Sequence, residues 1–212
     1  EFGVARERVS VLEPGLVLPP PRTRRARQPG DPFRLLSVGS LVPRKDHPTL
    51  LAALADLRDT RITLDIAGSA DLDPAHASRV RAEIDRLGLS QQVRLHGALP
   101  KAALDALYAE ADAFALTTLY EGYGMAFVEA MAHALPVIAT GAGAVRDTVP
   151  TAAGLLCEAG DAAAIGSAIR QLADDPRRTE TMAKAARAHA QGLPGWQDQA
   201  RRLAALIAEI GR

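Results

Sequence analysis

Along the chain, short and fully apolar runs alternate with longer stretches whose apolar positions recur every three to four residues. FRLLSVG, from Phe33, is such a run, and HPTLLAALADL behind it has helical spacing. RITLDIAG repeats the run-then-glycine form and is followed by DPAHASRVRAEIDRLGL, where Asp73 is placed as an N-cap with Pro74 at the first helical position. The alternation continues through QVRLHG, KAALDALYAEA, DAFALT, the stretch TTLYEGYGMAFVEAMAHALPV, LPVIAT and AAGLLCE. Helices over Asp161–Asp174, Pro176–Gln191 and Trp196–Ile210 are expected to close the chain. Strands that are apolar throughout and alternate with helices predict a parallel sheet covered on both faces. The expected fold is therefore α/β, a single doubly wound, Rossmann-like parallel sheet. Ligands of such sheets sit at the carboxyl ends of the strands, so the loops after Val38, Ala67, Leu95, Leu116 and Ala139 form one functional rim.

A chain of 212 residues is long enough for one substantial core. Residues 1–30 read as a linker and short preamble, and 31–212 as the main domain with its closing helices. Within the preamble, PPPRTRRARQPG is an exposed loop; Arg22, Arg24, Arg25 and Arg27 have no interleaved aromatics for base stacking, so they read as solvated rather than as a phosphate arm. Basic and acidic side chains balance at 25 each, which gives no global attraction to nucleic acid or to an anionic membrane. A bound phosphate must then be met by a local device. The single cysteine, Cys157, excludes an internal disulfide framework and fits the cytosol. No apolar run reaches the ~18 residues of a spanning helix.

Several phosphate-binding devices can be excluded. VGSLVPRKDH after the first run lacks G-x-G-x-x-G, and TGAGAVR has Arg146 where the third glycine should stand, so no nicotinamide cofactor is expected. There is no Gly-Lys-Ser/Thr loop. Asp71 and Asp73 form a D-x-D pattern, but Asp73 before Pro74 reads better as a helix cap. His47, His76, His96, His133 and His189 have no i, i+4 pairing with an acidic third ligand, and no metal site is expected.

What remains is the stretch from Thr117 to Val137. With a helix starting near Gly124, Phe127, Ala130, Met131 and Ala134 fall on one apolar stripe and Glu129 lies off it. Helical side chains lean toward the N-terminus, so its carboxylate reaches back over the first turn. There the free amides of Gly124, Met125 and Ala126 and the helix dipole attract an anion, and Gly122 and Gly124 allow close approach. Two carboxylates, Glu121 and Glu129, flank that anion. They suit hydroxyl groups on either side of it, as in a nucleotide-sugar with ribose at one end and a hexose at the other.

These residues carry a family resemblance. YEGYGMAFVEAMAHALPVIAT resembles the E-x7-E signature of the family-four retaining glycosyltransferases, in the nucleotide-sugar-binding C-terminal half of their two-Rossmann GT-B architecture. VGSLVPRKDH, DIAGSADLD, VRLHGALP, LYAEADAFALTTLYEGYG and AGLLCEAGD resemble the family's successive blocks, so the likeness covers essentially the whole chain. It implies that Glu121 contacts the donor sugar and Glu129 the ribose, while Lys45 and Arg44 neutralise the diphosphate and support catalysis. It further implies base contacts from backbone around Gly97, Ala98 and Leu99. Gly68 and Ser40 lie near the donor, and Gly122, Tyr123, Gly124, Met125 and Ala126 cradle it. Ser40 stands where many members carry arginine, so Arg44 is expected to substitute. Ala134 stands where a glycine usually ends the helix, at a cost of about 1 kcal/mol if φ is positive, and a rearranged loop is expected there.

The resemblance implies a UDP- or GDP-sugar donor, no cofactor and no metal. The leaving diphosphate would assist a front-face transfer with retention of configuration. An acceptor glycan, lipid or small molecule would bind an N-terminal domain absent from this chain, which reads as an excised C-terminal half. The setting would be cytoplasmic, with peripheral contact at the inner membrane face as a variant. Competing readings are a GT-B epimerase, a phosphorylase for which Lys45, Lys101 and Lys184 offer no suitable pyridoxal-phosphate lysine, and a binding module without turnover.

Overall fold

Each apolar run forms a strand of one sheet. In the computed structural model, which describes residues 9–21, 27–28, 30–57 and 60–210, the strands are β1 Phe33–Val38, β2 Ile62–Ala67, β3 Val93–Gly97, β4 Ala113–Leu116, β5 Val137–Thr140 and β6 Gly154–Cys157. The helices are α1 His47–Ala55, α2 Pro74–Arg86, α3 Lys101–Glu110, α4 Met125–Ala132, α5 Val145–Thr148, α6 Ala162–Asp174, α7 Pro176–Gln191 and α8 Trp196–Ile210. The six strands run in the order β3-β2-β1-β4-β5-β6, all parallel.

The central strands lack polar alternation because they feed two cores. Leu35 of β1, Ala113 and Ala115 of β4 and Ile138 of β5 pack with α1, α2 and α6. Leu36, Phe114, Leu116, Val137 and Ala139 point the other way, into α3, α4 and part of α7. Helix starts follow the chemistry expected of them: Asp73, Asp161 and Asp175 each accept an amide hydrogen bond three residues on, at 2.8, 2.9 and 2.9 Å. Asp73 is thus a cap. Two short elements carry no pattern long enough to read: a 3-10 turn at Pro43–Lys45 and α5.

The preamble is partly held down. Leu16 is buried and its amide donates to the Pro194 carbonyl at 2.9 Å, while the Arg187 guanidinium reaches the Pro19 carbonyl at 2.9 Å. Arg27 corrects the solvated-loop reading, since its guanidinium lies 5.3 Å from the Phe33 ring and donates to Ala173 O at 2.5 Å. Arg22, Arg24 and Arg25 lie outside the described residues.

Helix α4 differs from its single-stripe reading. Val128 and Ala132 are buried along with Phe127, Ala130 and Met131, because α4 is covered by the sheet and by α7 together. Ala134 lies beyond the helix end, with φ 57°. The chain therefore keeps the left-handed turn there, against the expected rearrangement, and Leu135 N–H still closes onto Ala130 O at 3.0 Å. An L-residue in this region carries a Cβ penalty that glycine lacks. Ala134→Gly is expected to raise the unfolding free energy by roughly 0.5–1 kcal/mol in a denaturant titration, and a loss of stability would contradict the strain.

Among the described residues, Ser37 Oγ, both ring nitrogens of His47 and Nε2 of His76 are buried without a hydrogen-bond partner. Burial first, then the neighbouring His76 and Lys45, lower the His47 pKa to about 4. A folded-state value below the unfolded one means that the unfolded chain binds a proton the folded chain refuses. Stability from this site is complete above about pH 6.5 and is lost as pH falls to about 4, by about 3 kcal/mol. Against His47→Gln, which has no such titration, the wild type should lose this amount between pH 6.5 and 4 in parallel urea titrations. Identical pH slopes would contradict the assignment.

Candidate functional site

Outward from β1 and β4 the strand order runs in opposite directions, which makes their carboxyl ends the topological switch point at which open α/β sheets bind ligands. Most of the sequence-predicted residues meet there. After β1 the chain passes Gly39 and Ser40, turns at Pro43–Lys45 and takes Asp46 through φ 44°. That turn folds the Lys45 side chain back over Gly39, where an added Cβ would stand 3.0 Å from Lys45 Cε. Glycine at position 39 gives the lysine its path.

The loop after β4 is sewn to this turn. Thr117 donates its hydroxyl hydrogen to Asp46 O at 2.7 Å and the Leu119 amide donates to Arg44 O at 2.8 Å. Thr118 Oγ1 lies within reach of Arg44 O, Tyr120 O and Glu121 Oε1, at 3.1, 3.0 and 3.2 Å, and its one proton serves one of them at a time. Thr140, at the end of β5, donates to Thr118 O. A third loop closes from the other side: the Ala144 amide donates to Glu121 O at 3.0 Å, and Gly143, at φ 63°, comes so close that a Cβ would lie 2.3 Å from that oxygen.

Glu121 is the point on which these loops converge. Its Oε1 pairs with Lys45 Nζ and, at 3.1 Å, with an Arg44 nitrogen that also donates to Tyr120 O at 2.7 Å. The Lys45 and Glu121 side chains are 11% and 10% exposed, whereas Arg44 is 47% exposed. The lysine pair is therefore weakly screened and the arginine pair is a rim contact in water. Directly behind Glu121, Gly124 takes φ 88° as the N-cap of α4 and Gly122 has open space over it. The amides of Met125 and Ala126 precede the first intrahelical bond of α4.

Glu129 ties α4 to its neighbour: its Oε2 accepts from the Tyr108 hydroxyl of α3 at 3.3 Å. It lines a groove of about 440 Å³ with Leu99, Lys101, Met125, His133 and Trp196. Burial is the largest influence on its carboxyl and raises its pKa, opposed by the Tyr108 hydrogen bond and the Lys101 charge.

Among the other expected residues, Gly97 is an open glycine at φ 68°, and Ala98 and Leu99 follow it, the latter into the groove. Gly68 has a packing reason of its own: its Cβ would stand 2.0 Å from Gly39 O, and its amide donates to Gly97 O at 2.8 Å. Ser40 is half-buried in the same loop cluster. Tyr123 is fixed through its carbonyl, which accepts from Thr148 at 2.6 Å. Sequence reasoning missed Thr117, Thr118, Thr140 and Gly143. The paired threonines ahead of Leu119-Tyr120-Glu121 were the available signal; the role of Gly143 depends on a backbone contact that spacing does not reveal.

Comparison with known proteins identifies the family and the fold. Residues 22–189 match the profile of the family described as Glycosyl transferases group 1. A D-inositol 3-phosphate glycosyltransferase of Catenulispora acidiphila is 32% identical over 97% of this chain and 52% of its own length. A GDP-mannose-dependent monoacylated alpha-(1-6)-phosphatidylinositol monomannoside mannosyltransferase of Corynebacterium glutamicum is 31% identical over 79% of this chain and 45% of its own. The chain spans about half the length of the curated relatives it matches. Among solved structures, Anabaena HepE in complex with UDP and glucose superposes with TM-score 0.77 at 27% identity, over 84% of this chain and 48% of its own. With a family profile that spans most of its length and a matching parallel sheet, the chain belongs to the group 1 glycosyl transferases.

Proposed function

We propose that the chain is the donor-binding half of a retaining hexosyltransferase, one that moves a hexose from a UDP- or GDP-sugar to an acceptor hydroxyl. The observation that carries this reading is the meeting of Lys45, Arg44 and Glu121 just ahead of the N-terminus of α4, at the β1/β4 switch point of the sheet. An anion seated there faces an ammonium, a guanidinium and helix amides at once. Two neighbours support the ligand class: HepE holds UDP and glucose, and the Corynebacterium relative is named for GDP-mannose.

On this reading the diphosphate lies between the β1 loop and the first turn of α4. Lys45, Arg44 and the amides of Met125 and Ala126 stabilise the charge that grows on it as the glycosidic bond breaks. Glu121, freed from its cations as the diphosphate takes them, accepts hydrogen bonds from the sugar hydroxyls. Glu129 accepts from the ribose in the groove, and the backbone of Gly97–Leu99 meets the base. The leaving diphosphate takes the acceptor proton on the same face, giving retention without a metal or a cofactor. The acceptor belongs to a second domain, and the exposed stripe of Trp196, Leu203 and Ile207 on α8 is where that domain packs. No helix among the described residues is long and apolar enough to cross a membrane; we place the reaction in the cytosol.

The chain by itself is expected to bind UDP or GDP, with affinity unchanged by a chelator. Glu129→Ala should weaken that binding by about 1.5–3 kcal/mol, the worth of charged hydrogen bonds, and hexose transfer should be undetectable because half the cleft is missing. Calorimetry with both nucleotides tests this. If neither binds, or if Glu129→Ala binds as the wild type does, the donor-site reading fails.

A further inference from the structure

The ring of Tyr108 is explained by packing, but its hydroxyl is not. Tyr108 is 2% exposed within the core of α3, α4 and the sheet, and phenylalanine would fill that space as well. A buried phenol needs a polar partner, and Glu129 Oε2 is that partner at 3.3 Å. Two other rings pack against that of Tyr108. His133 stacks on it with centroids 4.5 Å apart and planes 9° from parallel, and Phe114 lies at 6.4 Å and 23°. Behind His133 stands Asp105, 3.6 Å from its Nε2 and held by Lys101 at 2.8 Å. Two helices are thereby joined at one carboxylate, and four of these side chains, Lys101, Asp105, Tyr108 and His133, line the same groove as Glu129.

A carboxylate with one oxygen pinned has its plane set and its other oxygen left for a ligand. We propose that Tyr108 is a positioning residue for the ribose end of the donor: its hydroxyl holds Glu129 Oε2 and leaves Oε1 to accept from the ribose hydroxyls. The inference rests on the reading of Glu129 as the ribose acceptor. Burial and the charge of Glu129 push the phenol well above its ordinary pKa, so it remains a donor at any working pH. At 3.3 Å the bond is longer than the ~2.7–2.8 Å optimum for O–H···O, and it tightens when ribose fixes the other oxygen, as polar contacts of unliganded sites commonly do. Without the tether, Glu129 would choose among rotamers on a helix whose neighbouring side chains are otherwise packed.

The test separates ribose recognition from packing. Wild type, Tyr108→Phe and Glu129→Gln are titrated by calorimetry with UDP and with 2′,3′-dideoxyuridine diphosphate, or with the guanosine pair if GDP is the tighter ligand. Thermal unfolding shows whether the Phe variant retains its core. Wild type should prefer the ribose nucleotide, and Glu129→Gln should abolish most of that preference. Tyr108→Phe should lose about three- to tenfold in affinity for the ribose nucleotide and nothing for the dideoxy compound. If Glu129→Gln loses the preference while Tyr108→Phe keeps it, or if Tyr108→Phe weakens both ligands equally, Tyr108 is a packing residue and the proposal is overturned. If Glu129→Gln itself keeps the preference, the ribose reading of Glu129 fails, and the proposal falls with it.

Discussion

The pairing of Glu121 with Lys45 is the constraint on which the functional edge depends. Both side chains are largely withdrawn from water, and removing one partner of such a pair leaves a buried charge uncompensated, a loss on the order of 3–5 kcal/mol. Around that pair, the loops after β1, β4 and β5 are bound to one another by Thr117, Leu119, Thr140 and Ala144. The three loops are held together at one residue: the β1 and β4 loops meet at the Glu121 carboxylate, and the β5 loop closes on its backbone carbonyl. Glycines at 39, 124 and 143 are required by the same arrangement, for the path of Lys45, the turn into α4 and the approach to Glu121 O.

The sheet supplies the place and the loops supply the charge. The strand order reverses between β1 and β4, where open α/β sheets bind ligands, and the loops leaving these two strands are joined there by Lys45 and Glu121. Group 1 glycosyl transferase relatives are about twice the length of this chain, and the proposed division of labour follows: nucleotide and phosphate contacts here, acceptor contacts elsewhere. A resting carboxylate between the cations has a physical use in such a site. It keeps Lys45 and Arg44 from standing uncompensated, and on the proposed reading it is displaced by an anion of greater charge.

Much of this was legible in the sequence for identifiable reasons. Strand positions were readable because β1, β4 and β5 feed both cores and so appear as unbroken apolar runs; helix starts were readable at Asp73, Asp161 and Asp175 because caps are local chemistry. Glu121, Glu129, Lys45 and Arg44 could be named from motif and resemblance. Their mutual arrangement could not, since Lys45 meets Glu121 across 76 residues and Tyr108 meets Glu129 across two helices. The single-stripe reading of α4 failed because a helix covered by both sheet and α7 buries more than one face. Ala134 misled in another way: a glycine-like turn survives there with an alanine, because the surrounding closure onto Ala130 fixes it.

The central claim is that Glu121 holds Lys45 in the unliganded protein and that a diphosphate competes for the same ammonium. UDP, which has the diphosphate but no donor hexose for Glu121 to contact, isolates that competition. Calorimetric titration of UDP into wild type, Lys45→Ala and Glu121→Gln measures it directly. The account predicts that Lys45→Ala weakens UDP by roughly tenfold or more, the scale of a charged hydrogen bond, while Glu121→Gln, relieved of the competing carboxylate, binds UDP more tightly than wild type. A Glu121→Gln variant that stays folded yet loses as much UDP affinity as Lys45→Ala would contradict it.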